Sequence, residues 1–486
     1  MSVHIGNAEN APSFPRAARA ALINTQLRTN VRNATNIIQA KRNNMTGELP
    51  DWEELREAGH AIKNHTLKYL DLYLEQFEAN VTRAGGMVHW ATDADEANQI
   101  IGNIIADCTG KEIIKVKTMT SNEIRLNDYL ENSGITPHET DLADLIVQLG
   151  NEDPSHIVVP ALHINRTQIR DIFQKKIPLH ELGIDNLTDD PQQLAEAARL
   201  YLRHKFLTVD IGFSGANFAI ADTGAVVVVE SEGNGRMCLT LPDVLITLLG
   251  IEKIVPTFRD LEVFLQSLPR SATGERMNPY NSIWTGVTPA DGPSEFHVIL
   301  LDNGRTSVLA NGEGREALNC IRCGACLNVC PVYHQTGGIA YGSVYQGPIG
   351  AIVTPQLQNL EHSRSLPYAS SLCGACYDVC PVKINIPEIL IFLRGEIIRD
   401  EQRTLLGKFQ LENIAMQAMA LVFSSSGLMT TAEALAKFAQ GPLVHDGIIN
   451  RLPGMLSGWT NSRDLAPMPR KSFRDWWLQR EKDKGQ

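Results

Sequence analysis

Seven of the nine cysteines in this 486-residue chain fall between positions 320 and 380. In a reducing compartment, thiols grouped this closely read as metal ligands rather than disulfides. The first group is Cys320-Ile-Arg-Cys323-Gly-Ala-Cys326-Leu-Asn-Val-Cys330-Pro331, the C-x2-C-x2-C-x3-C-P run of bacterial ferredoxins. Two-residue gaps let three thiolates curl around one cubane while backbone N–H groups face its sulfurs. The fourth cysteine, carried away by the following proline, ligates the other cluster. Gly324 permits close backbone approach, and Pro331 fixes φ where the chain turns out.

The second group, Cys373-Gly-Ala-Cys376-Tyr-Asp-Val-Cys380-Pro381, repeats the Gly-Ala and Val-Cys-Pro elements but lacks a first cysteine, whose place is taken by Ser370. The crossed rule assigns Cys320, Cys323, Cys326 and Cys380 to one cluster and Cys330, Cys373 and Cys376 to another. Two [4Fe–4S] clusters are expected, the second one thiolate short. Its fourth iron could take Ser370, take Cys238 or Cys108, take water or a small molecule, or be absent as in a [3Fe–4S] centre; an open or non-cysteine site is favoured. Zinc ribbons use two C-x2-C pairs, a poorer match than four cysteines in eleven residues ending in proline. Cys108 and Cys238 read as buried hydrophobes.

A formal net charge of -11, with 43% hydrophobic and 20% charged residues, describes an acidic, soluble chain with no general attraction for nucleic acid or anionic membrane. Residues 1–15 lack the basic and apolar regions of a secretory signal. The most apolar runs, such as 225–229 and 389–393, are far shorter than the roughly 18 residues a membrane-spanning helix needs. A cytoplasmic location is expected.

Residues 16–80 read as largely helical, with a break near Gly47 and Pro50 and one amphipathic face carrying Leu55, Ile62, Tyr69, Leu70, Tyr73 and Phe77. No Gly or Pro interrupts the chain between His60 and Ala84. Beyond Met87, short apolar runs at 112–118, 156–159, 225–229 and 298–301 alternate with amphipathic stretches at 122–132 and 166–173. That alternation predicts an α/β domain with a largely parallel sheet. Asn311-Gly-Glu-Gly314 marks a turn into the cysteine region. The expected organisation is an N-terminal helical extension (1–59), an α/β module (60–305), a two-cluster ferredoxin-like domain (310–395) and a C-terminal helical extension with an extended tail (396–486). The glycine-rich 341–350 segment reads as a structured loop that could shield a cluster or face a partner.

Several polar stretches stand out in the α/β module. Thr118, Thr120 and Ser121 could cap a helix and bind an anion at its N-terminus. Glu139, Asp141 and Asp144 read as a solvated helix start, with a metal site as the alternative. His156 and His163 flank a predicted strand. Gly-rich turns near Gly212-Phe-Ser-Gly215, Asp222-Thr-Gly224 and Glu230-Ser-Glu-Gly-Asn234-Gly-Arg236 lie where α/β sheets bind ligands. Neither G-x-G-x-x-G nor a Walker loop is present. A small anionic or acyl-type ligand near Asn217, Glu230, Asn234 and Arg236 is the expectation.

Taken together, the chain closely resembles the iron–sulfur lactate utilization protein B family. The resemblance is carried by Gly85-Gly-Met-Val-His89-Trp-Ala91, Glu139-Thr-Asp-Leu with Gln148-Leu149, and the 208–236 block ending Gly-Asn-Gly-Arg. It continues through Gly292-Pro-Ser-Glu-Phe-His-Val-Ile-Leu-Leu-Asp-Asn-Gly304-Arg305, both cysteine groups and Pro469-Arg-Lys-Ser-Phe-Arg-Asp-Trp-Trp477. It implies a ribose-phosphate isomerase/CoA-transferase-like α/β module and cluster ligation by the seven cysteines named. It also implies a role in a cytoplasmic three-component system oxidising L-lactate to pyruvate. The implied partners are a cysteine-rich protein with CCG-type domains and a smaller protein sharing the lactate-utilization module. Competing readings are an iron–sulfur subunit for another 2-hydroxy acid or a heterodisulfide, and a redox or metabolite sensor. No DNA-binding motif favours the last.

Overall fold

The computed structural model describes residues 11–484 except 109, 359, 361, 405–409 and 462. The first ten residues, on which part of the leader-peptide expectation rests, lie outside the described residues. The chain divides into two compact units, Met1–Ile397 and Ile398–Gln486.

The first unit is built on a six-stranded, wholly parallel sheet of order β1-β10-β7-β4-β2-β3. Its strands are β1 (Met87–Ala91), β2 (Glu112–Lys115), β3 (Thr136–Glu139), β4 (Ile211–Gly215), β7 (Val244–Gly250) and β10 (Glu295–Leu301). The central strands β4, β7 and β10 are covered on both faces, and β7 and β10 accordingly read as near-continuous apolar runs. On one face Ile113, Ile211, Phe213, Ile246, Leu248 and Ile299 pack with Ile101, Ile104 and Leu130 from the helices. On the other, Ile114, Leu245, Leu249, Val298 and Leu300 pack with Phe77, Leu145 and Phe206.

A second, four-stranded sheet has the order β8-β5-β6-β9, from β5 (Phe218–Ile220), β6 (Ala225–Glu230), β8 (Ile254–Val255) and β9 (Tyr280–Trp284). The 225–229 run therefore lies in an antiparallel ladder with β5 and β9 rather than in the parallel sheet. It is continuously apolar because it too is buried on both faces. Val226 and Val228 join the core of the parallel sheet. Ala225 and Val227 join a further core that holds Cys323, Cys326, Cys330, Cys376 and Cys380. The cysteine region is thus fused to the α/β module through this small sheet.

The N-terminal helices belong to the same body. Asn24 caps the helix Thr25–Gly47 by accepting the Leu27 N–H at 2.9 Å, and Leu27 and Val31 pack into the cysteine core. The uninterrupted amphipathic run after His60 does not form one helix. It breaks at Tyr69 into Trp52–Lys68 and Leu70–Arg83. The break lets the two segments serve different cores: Gly59 lies against Pro381 and Val382, whereas Leu70, Leu74, Phe77 and Val81 cover the parallel sheet. The predicted strand at 156–159 is a turn, because the side chain of His156 takes the Val158 and Val159 N–H groups that a sheet neighbour would otherwise take. The 341–350 segment, expected as a structured loop, is buried, and its last residues open the helix Gly347–Leu357.

In the second unit, helices Leu411–Phe423 and Ser426–Ala439 meet at 118°. The expected extended tail carries the helix Phe473–Lys484, on which Phe473, Trp476 and Trp477 pack together and Arg480 lies over both tryptophan rings. Among the described residues no single helix is long and apolar enough to cross a membrane, although this bent pair passes on length and composition.

Candidate functional site

The two cysteine groups fold as copies of one loop. Arg322 and Leu372, each just before a cysteine, adopt left-handed φ values of 61° and 55°. Gly324 and Gly374 follow at 74° and 85°, a region that favours glycine. Each glycine opens a four-residue helix, Ala325–Asn328 or Ala375–Asp378. The Arg322 N–H donates to Cys320 Sγ at 3.3 Å, and in the second copy the Leu372 N–H donates to Ser370 Oγ at 3.1 Å. Ser370 therefore occupies the place of Cys320.

The cysteines come together across the two loops. Burial pushes the Cys323 thiol up, and its nearest thiol neighbours, Cys380 and Cys320, push the same way. Cys326 lies among Cys323, Cys320, Cys376 and Cys380. Cys376, pushed up to about 12, is shifted by burial first and then by Cys330 and Cys373. Backbone N–H groups of Tyr333 and Ile384 point at Cys330 and Cys380 sulfurs at 3.5 and 3.4 Å. The first loop is largely enclosed, whereas Cys373 in the second is exposed. Cys238 and Cys108 are remote from both. The first is buried in the α/β core beside Thr140, and the second donates to the Ile104 carbonyl.

Three N-terminal side chains clamp the end of the second loop. Arg42 donates to the Val379 carbonyl at 2.9 Å, Arg56 to those of Cys380 and Tyr377 at 2.9 and 3.1 Å, and His60 Nδ1 lies 2.9 Å from that of Val382. On the other side of the first loop lies a buried charge network. Arg305 holds Glu123 through two bonds of 3.0 Å and Glu252 through one of 2.5 Å. The Tyr345 hydroxyl donates to Glu123, and the Lys63 ammonium to the Glu252 carbonyl. Arg322 stacks on Tyr345 at 4.2 Å and lies 3.6 Å from Glu252. Burial would raise the Glu252 carboxyl, but Arg305, Lys253, Arg322 and Lys63 outweigh it and hold it at about 2.

These residues fit a cubane. Among the described residues, Lys63, Lys253, Arg305 and Arg322 have Glu123 and Glu252 as their neighbouring carboxylates, an excess of two buried cations with Cys320 beside them. An oxidised [4Fe–4S] core with four thiolates carries two negative charges, and buried charges need such partners. The backbone N–H groups on sulfur add the donors that such clusters use.

A cleft of about 250 Å³ adjoins the first loop and is lined by Asn217, Glu230 and Asn234 as well as by Arg322 and Tyr345. Arg236 does not line it; its guanidinium lies over the Tyr280 ring at 5.1 Å. The Asp222–Gly224 turn is also elsewhere, with Gly224 against Asn80 and Val81. Glu230 is engaged by the N–H groups of Gly235 and Arg236, at 2.7 and 2.6 Å. Asp141 caps the helix Leu142–Gly150, and Glu139 pairs with buried Lys115 at 2.6 Å. Asp144 is largely buried rather than a fully solvated helix start, and burial pushes it up to about 7 despite Lys117 at 3.8 Å. Thr118 precedes a five-residue helix without capping it through its side chain. His156 joins the module to the first loop, its Nε2 lying 3.1 Å from Asn328 Oδ1. Lys63, Glu123, Glu252, Lys253 and Arg305 escaped the sequence reading because they are scattered along the chain and look like ordinary surface charges.

Residues 74–301 match the LUD domain family, residues 316–384 a 4Fe-4S dicluster domain, and residues 400–482 the C-terminal domain of lactate utilisation protein B. Lactate utilization protein B of Bacillus licheniformis is 44% identical over 491 residues, covering 100% of both chains. Its counterpart in Bacillus subtilis is 44% identical over 99% of this chain and 98% of its own. A solved DUF162 family protein from Deinococcus radiodurans covers 48% of this chain and 98% of its own at 15% identity, with a TM-score of 0.28, too low to bear on the fold. With three family domains in order and relatives matched from end to end, the chain belongs to the lactate utilization protein B family.

Proposed function

We propose that this chain is the iron–sulfur electron-transfer component of a multi-subunit system that oxidises L-lactate to pyruvate in the cytoplasm. The observation that carries the reading is the pair of copied cysteine loops, one enclosed beside a cleft of the α/β module and one open to solvent at Cys373. Cys320, Cys323, Cys326 and Cys380 would hold one [4Fe–4S] cluster. Cys330, Cys373 and Cys376 would hold the other, with Ser370 at its fourth, non-cysteine position. When bound, the clusters supply one-electron carriers. The chain's own residues hold the thiols, exclude water from the first loop and balance its charge through Arg305, Arg322, Lys63 and Lys253.

The names of the full-length relatives support lactate as the substrate of the system. The six-stranded parallel sheet supports a ribose-phosphate isomerase/CoA-transferase-like module at 60–305, followed by the cluster-binding segment at 310–395. Large apolar side chains exposed in the second unit, including Met416, Met419, Phe423 and Phe438, support docking onto other subunits. Those subunits would be the cysteine-rich CCG-type protein and the smaller lactate-utilization protein.

The test is anaerobic purification with iron, acid-labile sulfide and EPR before and after dithionite. About eight irons per chain, and reduction by L-lactate once the partner proteins are added, are expected. Zinc without sulfide, or cluster-replete protein that lactate and partners never reduce, would overturn the reading.

A further inference from the structure

The cleft lies at the carboxyl ends of the parallel strands. Lys117 and Thr118 follow β2, Asn217 follows β4 and Lys253 follows β7. From β2 the chain goes outward to β3, then returns to place β4 on the other side of β2. The crevice between β2 and β4 is therefore the topological switch point at which open α/β sheets take ligands. Gly215 ends β4 with no side chain, and a Cβ there would collide with Thr118. The bare backbone brings the two strand ends close together.

The charges in the cleft are unequally satisfied. Three of its carboxylates are tied to backbone N–H groups, Glu230 by Gly235 and Arg236, Asp141 by Ala143 and Asp144, and Glu232 by Leu142, and Glu275 pairs with Lys41 at 3.4 Å. Lys117 donates to the Val158 carbonyl at 3.0 Å. Lys253 is 8% exposed, and among the described residues no hydrogen bond or ion pair holds its ammonium. Beside it, Arg322 has a buried Nη1 without a hydrogen-bond partner. The Thr118 hydroxyl makes no cap bond. Glu252 is the shared counter-charge of Lys253 and Arg322, but it gives neither the Lys253 ammonium nor Arg322 Nη1 a hydrogen bond, and a ligand carboxylate would supply one to both. The volume of about 250 Å³ lies just below the roughly 300–1,000 Å³ of drug-sized pockets, which suits a small acid and not a dinucleotide.

We propose that this cleft binds a small carboxylate of the 2-hydroxy- or 2-oxo-acid class, its carboxylate on Lys253 and Arg322, against the first cysteine loop. The class of acid rests on the function proposed above; the anion site does not. Because Arg322 stands between Cys320 and Cys323, an acid held there is next to one proposed cluster ligand, Cys323, and two residues from another, Cys320.

The test uses anaerobic holoprotein titrated by calorimetry with L-lactate, pyruvate and oxamate, with acetate and inorganic phosphate as comparison anions. One of the substituted acids binds once per chain, at least tenfold tighter than acetate or phosphate. Lys253→Gln, compared with the wild type at matched iron and sulfide content, weakens it at least tenfold. A second measurement needs no variant: the dithionite-reduced wild-type protein, saturated with a ¹³C-carboxyl-labelled acid, shows a ¹³C coupling in pulsed EPR. Absence of binding, preference for phosphate, or saturation without that coupling would overturn the proposal. Lactate-driven reduction that fails while the acid still binds removes the lactate reading and leaves the cleft. Lactate turnover without any binding to this chain does the reverse.

Discussion

Arg305 is the largest fully buried side chain among the described residues, and replacing it with methionine tests whether the charge network holds the module and the first cysteine loop together. The substitution keeps the volume roughly constant and removes only the charge and its donors. Glu123 would retain the Tyr345 hydroxyl and Asn303, at 2.6 Å, but lose both guanidinium bonds. Glu252 would retain only the more distant Arg322 and its other electrostatic neighbours. Removing one member of a buried ion pair costs about 3–5 kcal/mol, and here one removal takes the guanidinium bonds from two carboxylates. Against a total stability of about 5–15 kcal/mol, roughly a fifth or more should be lost. Urea titration of anaerobic holoprotein, followed by far-UV dichroism and cluster absorbance, would read this as a shift in midpoint. The triple variant Arg305→Met, Glu123→Gln, Glu252→Gln should recover at least half, because it leaves no buried carboxylate without a partner. A loss under about 1 kcal/mol, or a triple variant no better than the single, would refute the assignment of stability to this network.

Ser370→Cys should give a second cluster that keeps four irons through brief air exposure, whereas the native protein should develop a [3Fe–4S] EPR signal; identical signals from both would remove Ser370 from the fourth position. Cys323→Ser should lower the iron content from about eight to about four per chain, while Cys238→Ala leaves iron unchanged and costs about 1 kcal/mol as a buried hydrophobe. His156, pushed down to about 4 by burial despite its bond to Asn328, sets a pH dependence. The unfolded chain protonates this group near pH 6.5 and the folded chain only near 4, so its contribution is fully present above pH 6.5 and lost as pH falls toward 4. Between pH 7 and 5 the loss should be about 2 kcal/mol, and urea titrations at both values should show a shallower pH slope for His156→Gln; equal slopes would count against a buried neutral histidine.

The two cysteine loops were readable in the sequence because a ferredoxin-type loop is local. Its ligands, glycine and proline lie within a dozen residues, and backbone geometry ties spacing to shape. The parallel sheet was readable for a similar reason, since a strand buried on both faces writes a continuous apolar run such as 298–301. The same rule misled at 225–229: a strand packed between two cores looks identical to one in a parallel sheet, and only pairing partners distinguish them. The break at Tyr69 left no Gly or Pro to mark it, because it arises from the two cores the flanking helices serve.

The sequence by itself determined which side chains form the two cysteine motifs, that Ser370 stands where the first motif has a cysteine, and that strands alternate with helices. Tertiary structure decided what surrounds those ligands. It brought Lys63, Glu123, Glu252, Lys253 and Arg305, spread over more than two hundred positions, to one buried network beside Cys320. It moved Arg236 out of the cleft and Arg322 into it. Charge pairing depends on distance in space and on burial, and neither quantity is written in the order of residues along a chain.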